Sequence, residues 1–280
     1  MTISEIQSTY PSAVWFDSAH TGTESGSFSE PYNTFTEAHT NVSDGGVIAV
    51  KSGTHTDNLV AITKNITVVG TGHDAILSKT ATGAQTWNLS SGITFKDLAI
   101  IENGSFSYSF RLQAGDIVFE SCKFSNTDVA LHGFIGGYNN GTANLTCNKC
   151  IFDLKTTNDS TYSDQGAVLY TYIYGFLANT TFTSCSINLS GGTATSFLGY
   201  GRKSTDTHTS KNCIFKGFTG SETLHSTTAG TVVDTNNCYG NTGHSGGTNN
   251  IFQDPQFVDA SNQDFRLRPT SPCIGAGTAS

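Results

Sequence analysis

The sequence predicts an all-β solenoid, in which short coils of parallel strands stack into one elongated domain. One strand-like segment returns along the chain, at residues 93–100, 117–124, 145–152, 181–187, 210–215 and 236–239. Each copy has an apolar or thiol anchor: Leu98, Cys122, Cys150, Cys185, Cys213 and Cys238. Successive anchors lie 24, 28, 35, 28 and 25 residues apart, an interval typical of solenoid coils. Because apolar residues within each copy fall two apart, the repeated element is predicted to be a strand.

Composition agrees with a single all-β domain. The chain has 280 residues, with 30 Gly, 5 Pro and 13% charged residues. Its formal charge of −8 argues against a nucleic-acid groove, and against a densely anionic polymer unless metal ions bridge the two. No apolar run approaches the ~18 residues that span a bilayer, so no membrane insertion is expected. The N-terminus lacks the basic and apolar regions of a signal peptide.

The cysteines are predicted to be unbridged. Seven is an odd number, and five cysteines occupy the anchor position, where stacked coils place equivalent side chains roughly 4.8 Å apart and facing inward. We therefore expect an internal column of small apolar side chains running from Cys122 to Cys238. The alternative is a zinc site on Cys147 and Cys150, since Cys-x-x-Cys is half of a zinc knuckle. Unbridged buried thiols fit synthesis in a reducing cytosol.

Both ends of the chain carry segments that specify the fold further. Residues 14–17, 31–38, 44–55 and 62–70 form the order strand, Gly/Ser loop, short helix, Gly-Gly-strand and Lys-Asn-Ile-Thr-strand. Near the C-terminus, residues 254–259, 264–267 and 271–277 follow as a closing motif. This order resembles the right-handed parallel β-helix proteins of the pectate-lyase-like group.

The resemblance implies a right-handed parallel β-helix of about seven to eight coils in a single domain. Residues 1–13 are expected to be a lead-in or attachment segment, residues 14–253 the β-helix, and residues 254–280 a segment that caps its end. Capping is required because the open end of a parallel coil exposes unpaired strand edges.

A second strand is predicted about 12 residues after each anchor. Phe110, Phe134 and Phe197 are expected to form an inner aromatic stack there. Neighbouring positions on the outer surface carry residues suited to sugar rings: Tyr108, Arg111, His132, Tyr170, Tyr172, Tyr200 and Arg202. The alternative is that tyrosine is simply frequent on strands.

The longest coil contains an insertion at residues 153–164, and loops of this kind often carry binding sites. Asp153, Asp159 and Asp164 could form a calcium site or a carboxylate pair, or serve only in turns. For a hydrolase the best carboxylate pair is Asp128 with Asp153. For a lyase the only local basic pair is Arg202 with Lys203. Lys96 and Glu120 are interpreted as an ordinary ion pair between coils.

The leading functional hypothesis is a surface-recognition protein similar to phage tail spikes and adhesins, which binds cell-surface polysaccharide. The alternatives are a polysaccharide lyase or glycoside hydrolase, and a purely structural virion protein. No cofactor is expected apart from Ca²⁺. The resemblance implies a homotrimer that contacts other virion proteins, located in a virion or outside the cell after cytoplasmic synthesis.

Overall fold

A computed structural model of the chain describes most of its residues. It leaves out residues 57–60, 80–86, 104–109, 127–134, 138–142, 156–165, 172–176, 191–195, 199–206, 218–222, 226–230, 241–246 and 279–280. For residues 137, 166–171, 177–178, 196–198 and 223–225 it describes the backbone only.

Three parallel sheets, named here A, B and C, form the walls of the molecule. Sheet A contains β1 (Val14–Phe16), β2 (Val47–Val50), β5 (Ile66–Gly70), β8 (Ile93–Lys96), β11 (Asp116–Glu120), β14 (Ala143–Asn148), β17 (Leu177–Thr183), β20 (Thr207–Lys211) and β23 (Thr231–Thr235). Sheet B contains β3 (Gly53–Thr56), β6 (Ala75–Lys79), β9 (Ala99–Glu102), β12 (Lys123–Asn126), β15 (Ile151–Leu154), β18 (Ser186–Leu189), β21 (Ile214–Lys216), β24 (Cys238–Tyr239) and β25 (Ile251–Phe252). Sheet C contains β4 (Ala61–Ile62), β7 (Trp87–Leu89), β10 (Phe110–Leu112), β13 (Ile135–Gly137), β16 (Gly166–Thr171), β19 (Ser196–Leu198) and β22 (Thr223–His225).

The chain visits the sheets in the order A, B, C, and each strand pairs in parallel with the equivalent strand of the next coil. The predicted parallel β-helix is therefore confirmed. The coil count differs from the expected seven to eight, because in the described part of the chain sheets A and B stack nine strands each and sheet C stacks seven.

A sharp corner joins each strand of sheet A to the next strand of sheet B. The corner residue has a left-handed backbone, with φ between +51° and +56° at Asp97, Ser121, Lys149, Ser184, Asn212, Asn236 and Asn249. The first five of these directly precede the anchors Leu98 to Cys213, whereas the last two precede Asn237 and Asn250. The segment predicted as one strand is therefore two strands, as in β8 and β9, and the inward–outward alternation restarts at the corner. Such a φ is unfavourable for residues with a Cβ atom, so the stacked corners must hold it in place.

The predicted thiol column lies at this corner. Cys122, Cys150, Cys185 and Cys213 are unbridged and at most 1% exposed. Each donates a hydrogen bond through its S–H to a backbone carbonyl of the preceding coil, as Cys150 does to Phe119 at 3.3 Å. Burial raises the pKa of the thiols of Cys122 and Cys185, which keeps them protonated. Cys147 is also buried and unbridged, and it pairs in register with Phe119 and Phe182.

Cys238 does not belong to the column, so this prediction was wrong by one residue. Ile214 pairs in register with Cys238, which makes Asn237 the equivalent of Cys213. Cys238 therefore follows the corner and forms a disulfide with Cys273 across a Cα–Cα distance of 6.2 Å. The expectation that no cysteine is bridged fails because the closing segment brings Cys273 to the outer face of sheet B.

Aromatic rings are found in the interior along much of the axis, and buried polar groups join them toward the C-terminal end. Phe95 stacks on Phe119 with 5.1 Å between ring centroids, and Phe124 stacks on Phe152 at 4.5 Å. Nearer the C-terminal end, the buried side chains of Thr180 and His208 are hydrogen-bonded at 2.6 Å. Beyond them Asp234 accepts hydrogen bonds from the Ser210 and Tyr239 hydroxyls and from the side chains of Asn237 and Asn250.

The inner position of sheet C also differs from the prediction. Phe110 is fully buried, as expected, and pairs in register with Trp87 and Ile135. Ile135 therefore takes the position assigned to Phe134, which lies outside the described residues. Further along sheet C, Leu169 pairs with Leu198 rather than with Phe197.

Two short helices precede the regular coils, and they cover different parts of the molecule. Helix α1 (Ile3–Thr9) begins with a capping box between Thr2 and Glu5 and buries Ile6 against the outer face of sheet A. Helix α2 (Phe35–Asn41) closes the N-terminal end of the core, where Phe35 packs on Phe16 and Trp87. The Lys64 ammonium donates to three carbonyls at the C-terminal end of α2. A cation is favourable at this position because the C-terminal end of a helix carries partial negative charge. An attachment role for residues 1–13 stays a prediction.

The closing segment, residues 254–278, lies along the side of sheet B. It contains an antiparallel hairpin of β26 (Phe257–Asp259) and β27 (Asp264–Leu267), joined through the 3₁₀ turn η1 (Ala260–Asn262). Besides the disulfide, it is held by Lys216 with Asp254 and by Lys123 with Gln263. The backbone of Thr278 also bonds to the corner side chain of Asn212.

Candidate functional site

The outer face of sheet C carries the described part of the predicted sugar platform. Arg111 lies between the buried Phe110 and Leu112 on β10, so its side chain points outward and is partly exposed. In register, Arg111 pairs with Asn88 on one side and with Gly136 on the other, and Gly136 pairs with Tyr170. Arg111 and Tyr170 therefore occupy one column of the sheet, two strand spacings or about 9.6 Å apart.

This column contains one charge among the residues that the structure describes. Asn88 and Arg111 offer an amide and a guanidinium, and the backbone of Tyr170 lies two strands beyond Arg111 in register. A guanidinium presents a planar set of donors that matches a carboxylate, whereas an amide and a phenol suit sugar hydroxyls. The column is therefore equipped to bind a polymer that carries hydroxyls and occasional carboxylates.

Most of the other predicted platform, catalytic and metal-site residues lie outside the described part of the chain. They are Tyr108, Asp128, His132, Asp159, Asp164, Tyr172, Tyr200, Arg202 and Lys203. By chain order, residues 155–165 connect β15 of sheet B to β16 of sheet C.

Asp153 lies on the outer face of sheet B, where its carboxylate accepts a hydrogen bond from Asn188 at 2.9 Å. It lines a cavity of about 300 Å³, here called the sheet B pocket, together with His73, Lys123, Lys155 and Gln263. Sequence reasoning missed these four residues. No pattern in the sequence marks Lys123 as outward, because its position depends on the left-handed corner at Ser121, which restarts the alternation.

Sheet A carries the expected ion pair and a polar ladder. Lys96 and Glu120 lie 3.2 Å apart and are partly exposed, so the pair contributes less than about 1 kcal/mol. Asn144 donates to Asp116 at 2.8 Å, and Asn179 donates to Asn144 at 3.0 Å. These side chains bond to one another along the stack, which is a structural role.

Within the described ranges, no group of three or more His, Cys, Asp or Glu side chains is arranged to hold a metal ion. Cys147 and Cys150, the alternative zinc ligands, both lie in the buried core. None of the described helices is long and apolar enough to cross a membrane.

Comparisons with known proteins bear on the fold. No protein-family model matches the chain, and a search of curated proteins found no match. Among solved structures, the chain is similar to the pectin methylesterase from Aspergillus niger in its deglycosylated form, with a TM-score of 0.53 and 16% sequence identity. The match covers 86% of this chain and 83% of that chain. The same enzyme in a penultimately deglycosylated form matches with identical values.

The chain thus has the parallel β-helix fold that its sequence predicted. At 16% identity the likeness establishes the fold and leaves the activity to the residues on its surface.

Proposed function

We propose that the protein is a polysaccharide-degrading enzyme whose substrate chain lies along the outer face of sheet C. The observation that carries the proposal is the register column that joins Asn88, Arg111 and Tyr170. A column of this kind runs parallel to the solenoid axis, so an extended polymer can contact residues of several coils at once. The likeness to a pectin methylesterase, an enzyme named for its action on a polysaccharide, favours an enzyme over the tail-spike hypothesis.

The substrate in this proposal carries carboxylates at intervals. Arg111 would pair with one carboxylate through two parallel hydrogen bonds, and Asn88 and Tyr170 would contact neighbouring sugar residues. A densely charged polymer is disfavoured by the formal charge of −8.

The solved structures reported above include no virion or adhesin protein, so they lend no support to the tail-spike hypothesis. The homotrimer and the contacts with virion proteins stay predictions. The Cys238–Cys273 disulfide fits an oxidising environment such as the cell exterior, so it favours an extracellular place of action.

The test is incubation of the purified protein with pectins of high and low ester content, alginate and a neutral glucan. New ends that absorb in the ultraviolet indicate a lyase, and new reducing ends without that absorbance indicate a hydrolase. Retention of a polysaccharide without cleavage would contradict the enzyme proposal and favour surface recognition. The proposal would also be overturned if the protein neither retained nor cleaved any of these polymers.

Variants locate the site. Removal of a charged hydrogen-bonding partner costs about 1.5–3 kcal/mol, so Arg111→Ala should lower the rate or the retention about tenfold or more. Arg111→Lys should restore only part of the lost rate or retention, since an ammonium cannot form two parallel hydrogen bonds to one carboxylate. Lys211→Ala, on the outer face of sheet A, is the matched control and should behave as the unmodified protein. Equal activity of Arg111→Ala and Lys211→Ala would place the substrate elsewhere.

A further inference from the structure

The closing segment stops short of covering the whole outer face of sheet B. Its hairpin reaches β12 at Gln263, whose side-chain oxygen accepts a hydrogen bond from the Lys123 ammonium at 2.6 Å. Beyond this point lies the sheet B pocket, about 300 Å³ in volume. One wall of the pocket therefore comes from the closing segment and the others come from the coils.

The floor of the pocket is apolar and its rim is polar. Ile76, Ala99 and Ile101 form the floor, on neighbouring strands of sheet B. Lys123, Lys155 and Asp153 reach the pocket from the next two coils, and His73 reaches it from the turn before β6. An apolar floor with a ring of polar groups is the usual composition of a site for a small ligand.

Two of the rim residues are cations held by neutral partners. Lys123 is bonded to the amide of Gln263, and an ammonium has three donors, so this bond orients the group without exhausting it. The buried side chain of Asn126 holds the backbone of Lys155. Its amide oxygen accepts from the Lys155 N–H at 2.7 Å, and its amide nitrogen donates to the Lys155 carbonyl at 2.6 Å. Neither lysine forms an ion pair with a described carboxylate. Among the residues that line the pocket, the two lysines outnumber the single carboxylate, that of Asp153, so the pocket carries a net positive charge.

The remaining rim groups accept hydrogen bonds. His73 Nε2 lies 2.9 Å from the carbonyl oxygen of Ser121, which only accepts, so Nε2 carries the hydrogen and Nδ1 of the neutral ring is an acceptor. One oxygen of Asp153 is bonded to Asn188. Acceptors of this kind suit ligand hydroxyls.

We propose that the sheet B pocket binds a small hydroxylated carboxylate, of which a sugar acid is an example. The ligand carboxylate would lie between the ammonium groups of Lys123 and Lys155, its hydroxyls would donate to His73 and Asp153, and its C–H face would rest on Ile101. The closing segment completes this site through Gln263. The site is separate from the column on sheet C and does not depend on the proposed polysaccharide activity.

Calorimetric titration with glucuronate tests the proposal, with glucose and acetate as matched probes that lack the carboxylate and the hydroxyls respectively. Glucuronate should bind at least tenfold more tightly than either. Equal binding of inorganic phosphate would indicate a site for any anion and would overturn the assignment of the hydroxyl contacts. Absence of glucuronate binding would overturn the proposal as a whole.

Variants separate the parts of the proposal. Lys123→Met and Lys155→Met keep the apolar stems and should each weaken glucuronate binding about tenfold. Lys211→Met, on the outer face of sheet A and outside the pocket, should leave glucuronate binding unchanged. Unchanged binding in the first two variants would contradict the proposed carboxylate contact.

Two further variants test the closing segment and the independence of the site. Gln263→Ala should weaken binding, because the Lys123 ammonium loses the amide that orients it. Full binding in this variant would show that Gln263 is not part of the site. Arg111→Ala should leave glucuronate binding unchanged, so failure of the proposed enzyme function and failure of the pocket are distinguishable.

Discussion

The side chain of Asn237 takes the place of a thiol in the corner column. Its amide nitrogen donates to the backbone carbonyl of Ser210 at 3.1 Å, which is the bond that Cys213 makes to the equivalent carbonyl of Phe182. Its amide oxygen accepts from the backbone N–H of Cys213 at 2.7 Å. The hydrogen bond to the preceding coil is therefore kept at this position of the column, although a thiol is replaced by an amide.

This relationship predicts the effect of removing the Asn237 amide. In Asn237→Ala the buried N–H of Cys213 loses its partner, so the free energy of unfolding should fall by about 1–3 kcal/mol. Asn148→Ala, which is partly exposed on the outer face of sheet A, should change it by less than about 0.5 kcal/mol. Urea denaturation of both variants measures the difference, and equal stability would contradict the role of the amide.

The state of the seven cysteines can be counted by alkylation and mass spectrometry. In the native protein the five unbridged thiols are buried and should resist labelling. After denaturation without reductant five cysteines should be labelled, and after reduction seven, because Cys238 and Cys273 are bonded. Rapid labelling of the native protein would contradict the buried column.

The left-handed corner at Ser184 is exposed and suits a test of backbone conformation. Ser184→Val should lower the free energy of unfolding by about 1–2 kcal/mol relative to Ser184→Gly, since a β-branched residue is strained at this φ. Ser186→Val, two residues later in β18 and between Ile151 and Ile214 in register, is the control and should cost less than about 0.5 kcal/mol. Thermal unfolding of the three variants measures these differences. A Ser184→Val variant as stable as Ser184→Gly would contradict the left-handed backbone at Ser184.

Acid should loosen the closing segment before the coils. A side-chain hydrogen bond from Arg266 lowers the pKa of Asp264 to about 2, and hydrogen bonds within the segment also lower the pKa of Asp254 and Asp259. Because these pKa values lie below those of the unfolded chain, their stabilising effect is complete above about pH 4 and is lost as the pH falls toward 2.

Amide hydrogen exchange across this pH range is the measurement. Residues 254–278 should lose protection while β8 and β11 keep it, and Asp264→Asn should show the weaker protection already at neutral pH. Equal loss of protection in the segment and in the coils would argue against a separately stabilised closing segment.

Much of the fold was predictable because the same residue pattern recurs in successive coils of a solenoid. Cys122, Cys150 and Cys185 recur at similar intervals and have the same surroundings, so a single pattern specifies several coils. The corner was not predictable from apolar alternation. Its left-handed φ falls on Asp, Ser, Lys and Asn alike, and no residue type marks it consistently.

The candidate site was only partly predictable, because it depends on register. Arg111 was expected on the outer surface and lies there, but its relation to Gly136 and Tyr170 requires the pairing of three strands. The error of one residue at Cys238 has the same origin. A shift of one position at the corner moves a side chain from the interior to the outer face of sheet B.

The sequence by itself determined that the chain is an all-β solenoid with buried thiols, since spacing and alternation are local properties written in the order of residues. Tertiary structure alone decided that Cys273 bonds to Cys238 and that Gln263 completes a pocket beside Lys123. The physical reason is that such contacts join residues 35 to 140 positions apart. Only the stacked coils bring these residues within bonding distance.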